Sequence, residues 1–230
     1  MTHSEIKPPH VLFLFSDTGG GHRSAAEAII EAINLDFRNR ISTEMVDFFK
    51  AYAPPPFDLA SDLYPPMARV PDVWKFGYKL SDDPQRTRIF YNVMWPYIRR
   101  ATYRLLNDHP HNLLVTVHPV PVFPVSRAMK SGVPPFFTVV TDMVSTHTWW
   151  FNQRSDLIFV PTEIARQRGL VYGLKPDQIR VVGLPVAQRF CQPLESSQSF
   201  RGRMGWPQEL PVILLSGGGD GMGPLAKTAR

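Results

Sequence analysis

Seven short apolar runs, each closed by turn residues, constrain the fold most: "HVLFLFS" (10–16), "TEMVDFF" (43–49), "NLLVTVH" (112–118), "FFTVVTD" (136–142), "DLIFVP" (156–161), "QIRVVG" (178–183) and "PVILLS" (211–216). A strand with one wet face alternates apolar and polar residues, but these runs are nearly continuous in Val, Ile, Leu and Phe, the mark of strands covered on both faces. Separated by helical patterns, they predict an α/β fold with a doubly wound, mostly parallel, Rossmann-like sheet. After the first run a helix is predicted over residues 24–35. Ser24 and Glu27 are spaced as a capping box, and Ala28, Ile29, Ala32 and Ile33 share one face.

Residues 53–110 depart from this pattern. "APPPFDLASDLYPPMARVPDVWKFGYKL" is dense in proline and aromatics, too irregular for sheet or a long helix. A helix is expected next, with Asp83 as N-cap and Pro84 at its first position; Pro96 is expected to kink or divide it. Its aromatics and Arg86, Arg88, Arg99, Arg100 and Arg104 suit either an anionic lipid surface or a helix that covers the sheet with solvated arginines.

After "VVGLPVAQRF" a polar stretch leads to a restarted strand and glycine loop, "PVILLSGGGDGMGPLAK". The expected organisation is a first domain over 1–190, a linker over 191–210 and, over 211–230, the first strand-loop-helix unit of a second α/β domain, as in a truncated piece of a longer chain. Lys plus Arg total 25 against 20 Asp plus Glu, a balance that suits anionic partners. The single cysteine, Cys191, excludes an intrachain disulfide and cysteine-rich zinc frameworks, and fits a reducing, cytoplasmic compartment. No apolar stretch reaches the roughly 18 residues of a membrane span, and "MTHSEIKPPH" lacks a signal-peptide core, so any membrane contact is expected to be peripheral.

Ligands of open α/β sheets sit beyond the carboxyl ends of the strands. That rule gathers Ser16 to His22, His118, Thr141, Asp142 and Pro161 to Glu163 into one crevice, with His147, Trp149 and Trp150 on the loop after Asp142. Gly19, Gly21 and Ser24 nearly fit a dinucleotide fingerprint, and Asp47 ends the second run, so an NAD-dependent oxidoreductase is one reading. It explains the turn but gives His22 no task. A Walker A loop is excluded, since neither glycine loop ends in Gly-Lys-Ser/Thr. A non-catalytic lipid-binding module is a third reading. His109 and His111 form a pair without a carboxylate or third histidine at metal-ligand spacing and read as turn histidines, leaving no metal site.

Five segments in order, "SDTGGGHRSAAEAI", "VTDMVSTHTWWF", "PTEIA", "VVGLPV" and "LLSGGGDGMGP", resemble the diacylglycerol glycosyltransferases of the monogalactosyldiacylglycerol synthase type, relatives of the bacterial enzyme that adds N-acetylglucosamine to a lipid-linked peptidoglycan precursor. The resemblance implies two Rossmann-like domains across a cleft (the GT-B arrangement), the first for the lipid acceptor and the second for the donor. It implies inverting transfer of galactose or glucose from a UDP-sugar to diacylglycerol, with no cofactor, no metal and no nucleic-acid partner, at the inner face of a membrane carrying anionic lipid. On that pattern His22 is the base that takes the acceptor's proton, with Asp142 orienting it or acting in its place. Gly19, Gly20 and Gly21 shape its loop. Trp150 matches a family tryptophan near the acceptor and an anionic lipid, with Trp149, His118 and His147 alongside. The second loop, Gly217, Gly218, Gly219, Asp220, Gly221, Met222 and Gly223, would cradle the donor diphosphate, its amides meeting the charge of the departing UDP. The family usually carries Glu where this chain has Asp220. A chain ending at 230 is expected to show little transfer by itself.

Overall fold

The computed structural model describes residues 7–17, 20–38, 40–59, 71–129, 133–193, 195–216 and 225–230. Its centre is a six-stranded sheet in the order β2-β1-β3-β4-β5-β6: β1 (His10–Phe15), β2 (Ser42–Asp47), β3 (Leu113–Thr116), β4 (Phe136–Val139), β5 (Leu157–Val160) and β6 (Ile179–Val181). All five pairings are parallel, with Phe13 opposite Met45 on one side and Val115 on the other. The doubly wound, Rossmann-like expectation holds. Strand order reverses between β1 and β3, which opens a crevice at their carboxyl ends.

Continuous apolar strands need cover on both sides, and the core shows it. Val11, Phe13 and Phe15 of β1 pack with Ala26, Ile29, Ile30 and Ile33 of α1 (Gly20–Phe37). Leu12 and Leu14 face the other way, towards Phe48 and Phe49 of α2 (Phe48–Tyr52), Leu105 of α4 (Pro84–Asp108) and Val122 and Val125 of α5 (Val122–Ala128). A further cluster joins Trp150, Ile158, Val160 and Ile179 to Ala165 of α6 (Glu163–Val171).

Helix α1 begins at Gly20, so Ser24 lies inside it and does not cap. Arg23, in the first turn, grips the Asp17 carboxylate through Nε at 2.7 Å and Nη2 at 2.6 Å, drawing the chain into helix earlier than the capping-box spacing suggested. Phe48 and Phe49 belong to α2 rather than to β2, because Asp47 accepts from Phe49 N at 2.9 Å and Lys50 N at 3.1 Å and starts a helix there. Within the proline-rich segment, residues 71–81 form α3 (Pro71–Ser81), a helix the irregular composition had masked. The Asp83 cap and Pro84 start of α4 are as expected, but α4 runs undivided through Pro96. A proline removes one backbone donor, and the bonds above and below carry the helix past it.

Residues 211–216 form no strand: Ile213 is 82% and Leu214 86% exposed, and no described strand lies alongside to hydrogen-bond them. The chain also carries α7 (Ser197–Met204) and α8 (Leu225–Thr228).

Gly169 of α6 is a packing glycine. A Cβ there would sit 2.8 Å from Ile179 Cδ1 and 3.0 Å from Phe151 Cε1. Gly169→Val is therefore expected to lower unfolding free energy by about 1–3 kcal/mol through overpacking. Urea denaturation checks it, and an unchanged midpoint would mean that this helix–sheet contact is looser than described.

Candidate functional site

The crevice is built from loops at the carboxyl ends of β1, β3 and β4. Bidentate pairing with Arg23 holds the Asp17 carboxyl below its usual range, with Lys50 Nζ at 3.8 Å adding to the effect. The Asp17 N–H donates to Asp47 Oδ2 at 3.2 Å. Asp47 is thus engaged as a helix cap and loop anchor, leaving it poorly placed to bind a ribose as the dinucleotide reading requires. A Cβ at Gly20 or Gly21 would meet nothing within 4 Å, so these glycines leave bare backbone facing open space. Gly19 lies outside the described residues.

His22, in the first turn of α1, is half-buried and aimed across the sheet. Its Nδ1 is 2.9 Å from the carbonyl oxygen of Val117 and 3.0 Å from Thr141 Oγ1. A carbonyl only accepts, so Nδ1 carries the proton and the neutral ring keeps its lone pair on Nε2. Nε2 has no partner among the described residues. Burial lowers the His22 pKa, opposed by the Asp142 charge and by the Val117 carbonyl, so the ring is neutral at neutral pH. The orienting group is the Val117 carbonyl, with Thr141 supporting it. Nothing in the sequence beyond its place at a strand end marks that backbone oxygen.

His118 does join His22, its ring edge-on with centroids 4.5 Å apart. Its Nδ1 accepts from Val120 N at 3.3 Å, and burial pushes its pKa well down, so it too is neutral. Asp142 does not hydrogen-bond the His22 ring: its Oδ2 accepts from Trp150 Nε1 at 2.7 Å, and it acts on His22 through its charge. Trp150 is fully buried, with its ring centroid 6.0 Å from that of His22. Its ring therefore presents no surface to an acceptor or an anionic lipid. Residues 148–150 form a 3-10 turn, and the two adjacent tryptophans both pack inward because they are not on a strand.

Trp149 stacks on Phe90 at 5.5 Å and meets Tyr91 edge-on at 5.5 Å. His147 starts the turn: its Nδ1 accepts from Trp149 N at 3.1 Å, and its Nε2–H points to Ser81 Oγ at 3.1 Å. Asp82 accepts from Thr148 N at 2.9 Å and pairs with Arg168, and the Tyr78 hydroxyl donates to the Ser145 carbonyl. The 142–150 loop is therefore clamped between the α3–α4 junction and α6, a link no local motif announced. Glu163 is exposed and bonded to Arg166 and Gln167, and does not enter the crevice. His109, expected at a solvated turn, instead meets the Glu44 carboxylate at 2.8 Å and the Tyr52 hydroxyl at 2.9 Å. Among the described residues no cluster has the makings of a metal site. Gly217, Gly218, Gly219, Asp220, Gly221, Met222 and Gly223 lie outside the described residues. Beside the crevice Phe76, Leu80, Ile89, Val93, Met143 and Val144 are exposed, while Tyr91 and Leu105 of α4 are buried against the sheet side. No described helix is long and apolar enough to cross a membrane.

Residues 22–186 match the family model described as monogalactosyldiacylglycerol (MGDG) synthase. The chain is 33% identical over 231 residues to a probable chloroplastic monogalactosyldiacylglycerol synthase of Nicotiana tabacum, covering 98% of this chain and 43% of that protein. It is also 33% identical over 228 residues to the probable enzyme of Glycine max, covering 97% and 43%. The chain thus spans less than half the length of these relatives. The crystal structure of Anabaena HepE in complex with UDP and glucose aligns over 86% of this chain and 50% of its own, at 11% identity and a TM-score of 0.44.

Burial holds His22, His118 and His147 below the ordinary imidazole value of 6.5, so the folded chain keeps them neutral while the unfolded chain takes up protons as pH falls through that value. Their contribution to stability is complete above 6.5 and is lost progressively below it. The urea midpoint is expected to be lower at about pH 5 than at about pH 8. An unchanged or higher midpoint in acid would show that these rings are freely hydrated.

Proposed function

This chain belongs to the monogalactosyldiacylglycerol synthase family, and from that membership we propose that it forms the acceptor-binding part of an inverting hexosyltransferase, which moves galactose or glucose from a UDP-sugar to diacylglycerol at the inner face of a membrane. The observation that carries this reading is the His22 ring: Nδ1–H is tied to the Val117 carbonyl, so the basic Nε2 is left for an acceptor hydroxyl. Nε2 takes the hydroxyl proton as the oxygen attacks the anomeric carbon from the face opposite the diphosphate. The bond to UDP breaks, and UDP leaves with its electron pair. Imidazolium forming in this half-buried place is stabilised by the Asp142 charge, which favours the protonated ring. Neutral His118, edge-on beside it, adds no competing charge.

In this reading residues 1–190 are the acceptor domain, 191–210 the linker and 211–230 the first unit of a donor domain. The glycine loop 217–223 is proposed to present amides to the donor diphosphate, a role that calls for no metal or other cofactor. Diacylglycerol has two acyl chains to keep from water, and the exposed apolar side chains around Phe76, Ile89 and Val93 beside the crevice support delivery from a lipid surface.

In a protein that carries this chain together with a whole donor domain, His22→Ala is expected to lower transfer from UDP-galactose or UDP-glucose to diacylglycerol in vesicles by about 10²–10⁴-fold, with vesicle binding retained. For the unaltered protein, kcat/KM should fall with acid only below 6.5, since burial lowers the base's pKa. Full transfer by the His22→Ala protein would remove His22 as the base and leave the lipid-binding reading.

A further inference from the structure

Away from the crevice, α4, α5 and the segment before β5 line an open cavity of ≈ 350 Å³. Arg88, Arg127 and Arg154 line it, and no carboxylate does. Among the described residues none of the three forms an ion pair. Helix α4 carries five arginines and no Asp or Glu until Asp108, so its own face supplies no counter-charge. Gathering three guanidinium groups without one raises electrostatic energy, and a bound anion removes that cost.

Two of the groups are held in place. Arg127 Nη1 donates to Asn92 Oδ1 at 2.7 Å, and its guanidinium lies 4.7 Å above the Trp95 ring. Arg154 Nη1 lies 3.5 Å from the Ser126 carbonyl. All three arginines are exposed, and Arg88 lies one helical turn before Asn92. Guanidinium groups converge best on an anion that offers several oxygens, and phosphate does so in every direction. The aromatic floor of Tyr91, Trp95 and Phe123 offers apolar surface to an organic group attached to that phosphate.

We infer that Arg88, Arg127 and Arg154 form a binding site for a phosphate group, carried either by a lipid headgroup or by a soluble phosphate. His22, His118, Asp142 and Trp150 do not line this cavity, so its occupancy is measured without donor or acceptor and stands apart from the transfer reading.

The test compares R88A/R154A with R99A/R100A, which removes the same charge from the same helix outside the cavity, and with R88K/R154K, which keeps the charge. Inorganic phosphate is titrated by calorimetry, and flotation is measured with phosphatidylcholine vesicles with and without phosphatidylglycerol. Phosphate binding is expected to weaken about tenfold in R88A/R154A, less in R88K/R154K, and to be unchanged in R99A/R100A. Loss of flotation with phosphatidylglycerol vesicles in R88A/R154A alone assigns the site to a headgroup. A calorimetric loss with flotation unchanged assigns it to soluble phosphate. If neither probe separates R88A/R154A from R99A/R100A, the positive charge is diffuse and the site does not exist.

Discussion

One hydrogen bond organises the crevice: the His22 Nδ1–H donated to the Val117 carbonyl at 2.9 Å. It joins the first turn of α1 to the end of β3 across the point where strand order reverses. The arrangement depends on the parallel sheet. β1 and β3 are neighbours in register, so the residues that leave their carboxyl ends emerge side by side. Just past the end of β3, the Val117 carbonyl meets an imidazole rather than another strand. A side-chain acceptor could rotate away, but a backbone carbonyl anchored in the sheet cannot, so the tautomer is set by the fold itself.

Around that bond lies a layer of buried polar contacts that the chemistry needs held still. Trp150 fills the space behind the His22 ring and fixes the Asp142 carboxylate through Nε1. The turn carrying Trp150 is held by His147, by the Asp82 carboxylate and by the Trp149 stack on Phe90. Buried hydrogen bonds of this kind contribute about 1 kcal/mol each, while their loss leaves unsatisfied groups that cost more. The charge beside the base is thus positioned from α3, α4 and α6, elements far from His22 in sequence. The same α4 turns one face to the sheet and leaves Ile89 and Val93 exposed, so a single helix bridges core, crevice wall and surface.

Strand runs were legible because burial on both faces leaves a continuous apolar signature, and the carboxyl-end rule correctly brought His22, His118 and Thr141 together. Asp83 and Pro84 marked the start of α4 because cap chemistry is local. Local spacing failed where a distant or competing partner decided the outcome. Ser24 and Glu27 fit a capping box, but the Arg23–Asp17 pair starts α1 earlier. Asp142 looked like the partner of His22, yet an indole eight residues on claims its oxygen. Glu44 reaches His109 only because β2 lies at the sheet edge beside the end of α4, a proximity no linear spacing encodes. The Trp149–Trp150 pair lies on a 3-10 turn that lets both rings go inward, and no local spacing marked that turn. The Val117 carbonyl carries no side-chain identity at all, so sequence is silent on it.

The proton position on His22 is directly observable. Nitrogen-15 NMR of imidazole-labelled chain at neutral pH should show His22 with a protonated Nδ1 and a bare, pyridine-like Nε2, and the shift pattern should persist until the pH falls below 6.5. A spectrum with the proton on Nε2, or one averaged between the two tautomers, would mean that the Val117 carbonyl does not hold the ring and that the crevice presents no fixed base.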